Sequence, residues 1–513
     1  VRAEFYSLKA VRRGFVSLVC GRFVSAGLTM AAMILIARGL GVAEFGVYAL
    51  LLSALSLAIT YTSLGLDWVS AKYLPEFRIH AGARDLGRLI LALLGGRALS
   101  FAVLVLAGYA LLGLEADLLG IPEWIDILEL YLLVLFMEGL VRSLRGEIFE
   151  PLLLQGHSQV NAAVRGALFC GLVLYTMQDG LTLHEVVMVE IVASAVALGL
   201  ALVQLAAYAV RHLGTHAAAE GWTPPPLREV FAIAGHNYAA QLVSSLASAN
   251  TLMLIGTSML NPAAVAGFGF CRTFAEQIRR YLPIALLFTV ARPSIVAAYS
   301  MDNRFDRLLE RVQFLYKANL IVLLPVVILT IAYGDAILEL ISGGKYGDSW
   351  GVAVGFALFL VAQSHRVVLS LVTNILGCPE LTTVGSVAST VALPLAFILL
   401  AFGFGANGLV VALLVGEVLS HAVIIAALYR RGYPYRFDVG GFARLFAAAG
   451  LTLVATLVIL PGFGETTLEE IAAAAVPVLL FGVLALLLWP FSVVEREAIV
   501  RMIGRRPRAS GGV

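Results

Sequence analysis

Charge is scarce in this chain. Asp, Glu, Lys and Arg make up 13% of its 513 residues and apolar side chains 60%, against the roughly 25% charged residues of soluble domains. With a mean hydropathy of +0.93, that balance excludes an ordinary soluble domain. The net charge of +2 is too small to suggest a nucleic-acid partner, so the positions of the charges carry more information than their sum. Cysteine is nearly as rare. Cys20, Cys170, Cys271 and Cys378 stand singly, with no C-x-x-C pair and no neighbouring His at ligand spacing, and read as small packing residues. There is no Gly-rich phosphate loop, no Ser/His/Asp constellation and no metal-spaced cluster, so neither enzyme chemistry nor a metal or other cofactor is expected. Long polar loops are missing too; none exceeds about 25 residues, so nothing outside a membrane has the material for its own core.

What is present is one apolar run after another. A bilayer core of about 30 Å needs roughly 20 apolar residues. Runs of that length centre near residues 26, 56, 101, 133, 169, 197, 245, 277, 323, 360, 393, 418, 451 and 480, which predicts fourteen transmembrane helices. The first, from Gly14 to about Ile36, follows Arg2, Lys9, Arg12 and Arg13, lacks a small-x-small cleavage site and reads as a spanning helix rather than a removable signal. Charge gives an independent test, because Lys and Arg collect in short cytoplasmic loops. With the N-terminus inside, the inner segments hold 27 of the 35 basic residues and the outer loops only Arg38 and Lys345. Both termini are therefore expected in the cytoplasm.

The longest polar connection, "RHLGTHAAAEGWTPPPLRE" (211–229), has the composition of a semi-rigid linker. It divides twelve spans into an N-terminal lobe (1–210) and a C-terminal lobe (230–430), leaving an additional helix pair and basic tail at 431–513. "LGVAEFGVYAL" (40–50) has a counterpart in "NPAAVAGFGFC" (261–271), with Gly46 matching Gly267 at an offset of 221. Parallel repeats of this kind build transporters with the pathway between the halves, although Gly-rich turn chemistry alone produces the same pattern. The predicted fold class is an all-α polytopic membrane protein: two six-helix bundles in pseudo-twofold arrangement plus a C-terminal pair.

The segment "ARGLGVAEFGVYALLLSALSLAITYTSLGLDWVSAKYLPEFR" (37–78) carries Arg38, Leu40, Gly41, Phe45, Gly46 and Tyr48 after span one, then Gly65-Leu66 and a basic Tyr-Leu-Pro-Glu stretch after span two. It resembles the opening signature of polysaccharide and O-antigen flippases of the multidrug/oligosaccharidyl-lipid/polysaccharide (MOP) exporter superfamily. The resemblance covers residues 1–430 and implies movement of an undecaprenyl-diphosphate-linked oligosaccharide from the cytoplasmic to the outer leaflet of a bacterial inner membrane. It also implies work alongside other membrane proteins of polysaccharide assembly. Residues 441–491 depart from it, since many polysaccharide flippases lack such a pair and lipid II flippases carry one; the identity of the glycan stays open.

"FCRTFAEQIRRYLP" (270–283) places Arg272, Glu276, Arg279 and Arg280 on one face of span eight. Charges facing lipid are prohibitive, so this face should meet a cavity or other helices. Guanidinium stays ionised and its fork matches phosphate oxygens, which makes Arg279 and Arg280 candidate substrate ligands; the alternative is that Glu276 neutralises its neighbours and the group ties helices together. Arg22, Arg97 and Arg366 are further in-span candidates, with structural pairing or snorkelling as the alternative. Asn237 and Gln241 lie on a polar stripe in "HNYAAQLVSSLASAN" (236–250) that suits sugar hydroxyls and equally suits interhelical bonding. Glu138 and Arg142 are spaced as an ion pair, i to i+4. Asp67, Glu276, Glu417 and His421 are candidates for an ion-coupling role, against the commoner fate of a buried structural pair; the residues do not choose between H+ and Na+.

Two other readings remain. A drug or organic-cation antiporter of the same superfamily should prefer acids in its cavity, whereas the in-span charges here are mainly arginines. A membrane glycan polymerase or ligase needs an outer active site, and the outer loops are short and nearly devoid of Arg and His.

Overall fold

The computed structural model describes residues 8–212, 221–285, 303–459 and 467–492, together with 295, 296, 299, 301, 495 and 496. The linker residues 213–220, Arg292 and the basic tail beyond Arg496 lie outside them, as do the side chains of 8–20, Cys20 included. All fourteen predicted centres fall inside α-helices. Among the described residues nine helices are long and apolar enough to cross a membrane, or ten if a pair bent by 41° counts as one span. The remaining predicted spans carry in-helix charge or, in the last case, have a described apolar part (Ala474–Leu488) that is shorter. The protein is an all-α polytopic membrane protein.

Its chain forms two compact units, Val1–Phe270 with Ile341–Lys345, and Cys271–Leu340 with Tyr346–Val513. The first contains α1 (Leu8–Gly39), α2 (Val42–Tyr61), α3 (Leu66–His80), α4 (Ala83–Ala110), α5 (Leu112–Leu118), α6 (Ile125–Ser143), α7 (Gln155–Thr176), α8 (Leu183–His212), α9 (Leu227–Leu246), α10 (Ala249–Met259) and the first half of α11 (Pro262–Tyr281). Here α1 packs along α7, α8 against α6 and α7, α4 against α6, and α2 against α10.

The predicted spans do not include α3 or the seven-residue α5 of this unit. The basic stretch after span two is α3, too short to span and carrying Pro75 inside it, which buries Tyr73, Leu74 and Phe77 against Leu86, Ile90 and Leu93 of α4. Its start depends on Gly65, whose φ of +74° suits glycine and whose missing side chain leaves room for the Ala234 carbonyl of α9. Trp222 stacks edge-on to Phe77 at 4.9 Å, and Lys72 Nζ and Tyr73 OH both donate to Glu229 Oε1, so the end of the polar connection is tied to α3. The two segments of similar sequence lie against each other: Gly46 is close to the Pro262 carbonyl and Ala266, Gly269 fits Ala49, and the Phe45 and Phe270 rings meet at 5.8 Å.

The two basic residues of the expected outer loops are both spent on backbone. Lys345 Nζ donates to the carbonyls of Ala37, Arg38 and Leu40, closing the C-terminus of α1, and Arg38 Nε donates to the Ile341 carbonyl. Burial holds the Lys345 ammonium below its usual value. At the neighbouring start of α2, Glu44 accepts from the Gly41 and Leu183 amides.

The second unit holds the rest of α11, then α12 (Phe305–Ser342, its end excepted), α13 (Trp350–Ile375), α14 (Glu380–Ser389), α15 (Ala392–Ala401), α16 (Gly405–Arg430), α17 (Val439–Val458) and α18 (Thr467–Leu488). Helix α16 is central, packing on α13, α14 and α15, while α17 and α18 pair. Close approach depends on missing side chains; a Cβ on Gly416 would lie 2.8 Å from the Ser389 carbonyl. Helix α12 kinks at Tyr333, and Trp350 Nε1 donates to the carbonyls of Thr330 and Ile331 beside the kink.

Candidate functional site

In the first unit the turn between α2 and α3 gathers several sequence candidates. Arg97 of α4 is buried; its Nε and NH2 contact Glu147 Oε1 at 2.8 and 2.5 Å, and its NH1 donates to Thr62 Oγ1 and the Ile59 carbonyl. Glu147 sits on a π-helical stretch, Leu144–Phe149, that continues α6, and Ser70 Oγ donates to its carbonyl. In the same turn Ser63 Oγ donates to Gln241 Oε1 at 2.9 Å, and Tyr238 OH donates to the Tyr61 carbonyl. Asp67 opens α3 with one buried oxygen lacking a hydrogen bond. Asn237, one turn from Gln241, donates instead to the Ile233 carbonyl of its own helix. Further along the stripe Ser245 donates to the Leu242 carbonyl, and Ser248 caps α10 where the span breaks.

A second cluster in this unit centres on Glu138. Arg142 and Arg165 each approach it to 2.6 Å and Arg145 to 3.8 Å, while Arg165 also reaches Glu190 at 3.3 Å. The Glu138–Arg142 pair was legible as i, i+4. Glu147 and Glu190 were not singled out, although each is an acid in or beside an apolar run opposite an in-span arginine. Arg22 lies in the electrostatic field of Glu150.

In the second unit α11 ends at Tyr281, two residues before Pro283. Arg272 is buried, whereas Arg279 and Arg280 have side chains 45% and 50% exposed on the last turn. They share one carboxylate: Glu276 Oε1 is 2.5 Å from Arg279 NH2 and 3.9 Å from Arg280 Nε.

Across α13 and α16 the structure brings together Arg366, Glu417 and His421. Arg366 NH1 donates to Glu417 Oε1 at 2.9 Å and its NH2 to Ser386 Oγ of α14 at 2.8 Å. Glu417 Oε2 lies 3.5 Å from His421 Nε2. His365, which the sequence reading passed over, stacks edge-on to His421 at 4.8 Å and bonds Tyr435 OH at 3.1 Å, in an aromatic surround of Tyr316 and Phe437. It adjoins Arg366 in the sequence, a signal that was available. No group of three or more His, Cys, Asp or Glu side chains is arranged to hold a metal among the described residues. These arrangements can hold anions with guanidinium and exchange protons among carboxylate and imidazole.

No protein-family model matches the chain, and no curated protein does. Solved structures do. The chain is similar to a lipid II flippase MurJ in an inward closed conformation, with TM-score 0.69 and 11% identity over 94% of this chain and 100% of that one. It is also similar to an inward-facing multidrug resistance MATE family transporter of the MOP superfamily, with TM-score 0.61 and 14% identity over 83% of this chain and 99% of that one. A MOP superfamily transporter from Pyrococcus furiosus, described as having a binding pocket of reversed polarity, gives TM-score 0.57 and 15% identity over 84% and 97%. The flippase covers about a tenth more of this chain than either of the others. The chain has the fold of the MOP-superfamily membrane transporters.

Proposed function

We propose that the protein is a flippase that carries an undecaprenyl-diphosphate-linked oligosaccharide from the cytoplasmic to the outer leaflet of a bacterial inner membrane, by alternating access and without covalent chemistry. The supporting observation is the similarity to a lipid II flippase over 94% of the chain, a span long enough to include the helix pair that the sequence resemblance left outside. In-span guanidinium chemistry points the same way. Arg279 and Arg280 stand side by side on the last turn of α11 and keep exposed side chains, so they are the assigned contacts for diphosphate or acidic sugar.

The need for such a protein is physical. Each hydroxyl moved unpaired into hydrocarbon costs about 4–8 kcal/mol on a cyclohexane scale, and a bare diphosphate far more, so the lipid does not cross unaided at a useful rate. The proposed topology keeps both termini cytoplasmic, with the two six-helix lobes at 1–210 and 230–430.

The test is reconstitution into vesicles containing an undecaprenyl-diphosphate-linked oligosaccharide, with an impermeant glycan-modifying enzyme reporting arrival in the far leaflet. Wild type should expose the glycan, and the Arg279→Ala/Arg280→Ala double variant should not, at equal protein level. Unchanged exposure in the double variant removes these arginines from the site. Efflux of cationic dyes with no glycan movement would replace this reading with the antiporter suggested by the MATE-like neighbours.

A further inference from the structure

Two buried polar atoms face each other in the second unit without a hydrogen bond. Glu417 Oε2 and His421 Nε2 are both shut off from solvent and unsatisfied, 3.5 Å apart. Leaving such groups unpaired is costly, yet a single added proton would join them. What occupies the proton's electrostatic place is Arg366, held on the other oxygen of Glu417 at 2.9 Å. The Arg366 side chain is 23% exposed and that of Glu417 only 7%. Of the two, the guanidinium is the more accessible to an incoming group.

We propose that Arg366 and Glu417 form an exchange site for a diphosphate anion, in which an anion that draws Arg366 away from Glu417 is accompanied by one proton bound between Glu417 and His421. This rests on the reading that the protein moves a diphosphate-linked lipid.

The charge balance makes the exchange reciprocal. With neutral histidines the resting group sums to zero, Arg366 against Glu417. An incoming anion takes over the positive charge of Arg366 and leaves a carboxylate buried without a counter-charge, a state that burial strongly disfavours. One proton from water restores neutrality, and the 3.5 Å gap becomes a hydrogen bond between Glu417 and His421. The Arg366–Glu417 ion pair is exchanged for one with the anion, and no covalent bond other than that to the proton is made or broken. Among the described residues, His365 on α13 stacks on His421 and Ser386 on α14 bonds Arg366, while Tyr316 on α12 and Tyr435 after α16 pack on His365. Elsewhere in this unit Arg431 pairs with Glu380 at 2.6 Å, and Lys317 with Asp438 at 2.5 Å and Glu495 at 2.8 Å. Ser386 Oγ, already a partner of Arg366, holds the guanidinium plane in place.

By linkage, anion binding and proton binding strengthen each other equally. The experiment uses the full chain in lipid nanodiscs and farnesyl diphosphate as a short polyprenyl diphosphate. Inorganic pyrophosphate serves as the lipid-free arm, and a pH indicator in weak buffer reports proton uptake. Wild type should take up about one more proton per bound diphosphate than Glu417→Gln, and its affinity should fall by up to tenfold per pH unit on the alkaline side. Glu417→Gln, already neutral, should bind with no such slope. Arg366→Lys should keep proton uptake with weaker binding, and Arg366→Gln should lose both. His421→Gln should move the pH at which affinity falls while leaving the protein monodisperse. Uptake with both probes assigns the site to the diphosphate itself; uptake with the farnesyl probe alone assigns it to the lipid-borne group. Equal uptake in wild type and Glu417→Gln overturns the proposal, as does tight binding without uptake or failure of both probes to bind. Glycan movement without proton uptake sinks this inference and leaves the flippase reading standing. The reverse result leaves the exchange site and removes the flippase.

Discussion

Lys317 is completely buried, with its ammonium 2.5 Å from Asp438 Oδ2 and 2.8 Å from Glu495 Oε2. Removing one partner of a buried ion group costs about 3–5 kcal/mol because the others stay desolvated and unpaired. Lys317→Met should therefore lower thermal stability in detergent sharply, while a Lys317→Met/Asp438→Asn/Glu495→Gln triple variant should recover most of the loss. The same reasoning separates two roles for Arg97. As the partner of Glu147 it should give an unstable Arg97→Met single variant and a largely restored Arg97→Met/Glu147→Met double variant. If the restored double variant still fails to move glycan in the vesicle assay, Arg97 also handles substrate. At the C-terminal end of α1, Lys345→Met removes a charged donor from three carbonyls, and a loss of about 1–3 kcal/mol is expected in the same melts.

Helices in the second unit meet where side chains are missing. Gly416 of α16 lies under the Ser389 carbonyl, an obstacle of backbone that has no rotamer to give way. Gly416→Ala should cost about 1–3 kcal/mol through overpacking, read as a lower melting temperature, whereas Gly450→Ala of α17, which meets nothing, should be neutral or slightly stabilising. The α17–α18 pair is bound to α12 by the Lys317 group and by Gln313, which donates to the Arg436 carbonyl and accepts from the Asp438 amide. Deletion of 438–513, which the sequence alone presents as an appendage beyond twelve spans, should strand Lys317 and prevent stable insertion of the remainder. Adding Lys317→Met to the truncation should rescue part of the inserted protein, measured as monodisperse material after extraction. Equal yields with and without Lys317→Met would show that the pair is held by other forces.

For the whole molecule, hydropathy placed all fourteen of its centres inside helices because a membrane imposes one length and one polarity on each crossing. It missed α3, which is amphipathic and too short to span, and it could not foresee the break at 247–248 or the kink at Tyr333, where Ser248 and Trp350 supply the hydrogen bonds that the backbone loses. The site was legible in part. Arg97, Arg366, Glu417 and His421 declared themselves as charged or titratable residues in apolar runs, but their partners Glu147 and His365 did not, since Arg97 and Glu147 are fifty positions apart in the chain and only packing joins them. That the chain lies in a bilayer as many helices can be read directly from its residues, because burial in hydrocarbon is a local property of each run. Which charges neutralise which emerges from the packed helices alone, because an ion pair between helices is set by distances that no single run contains.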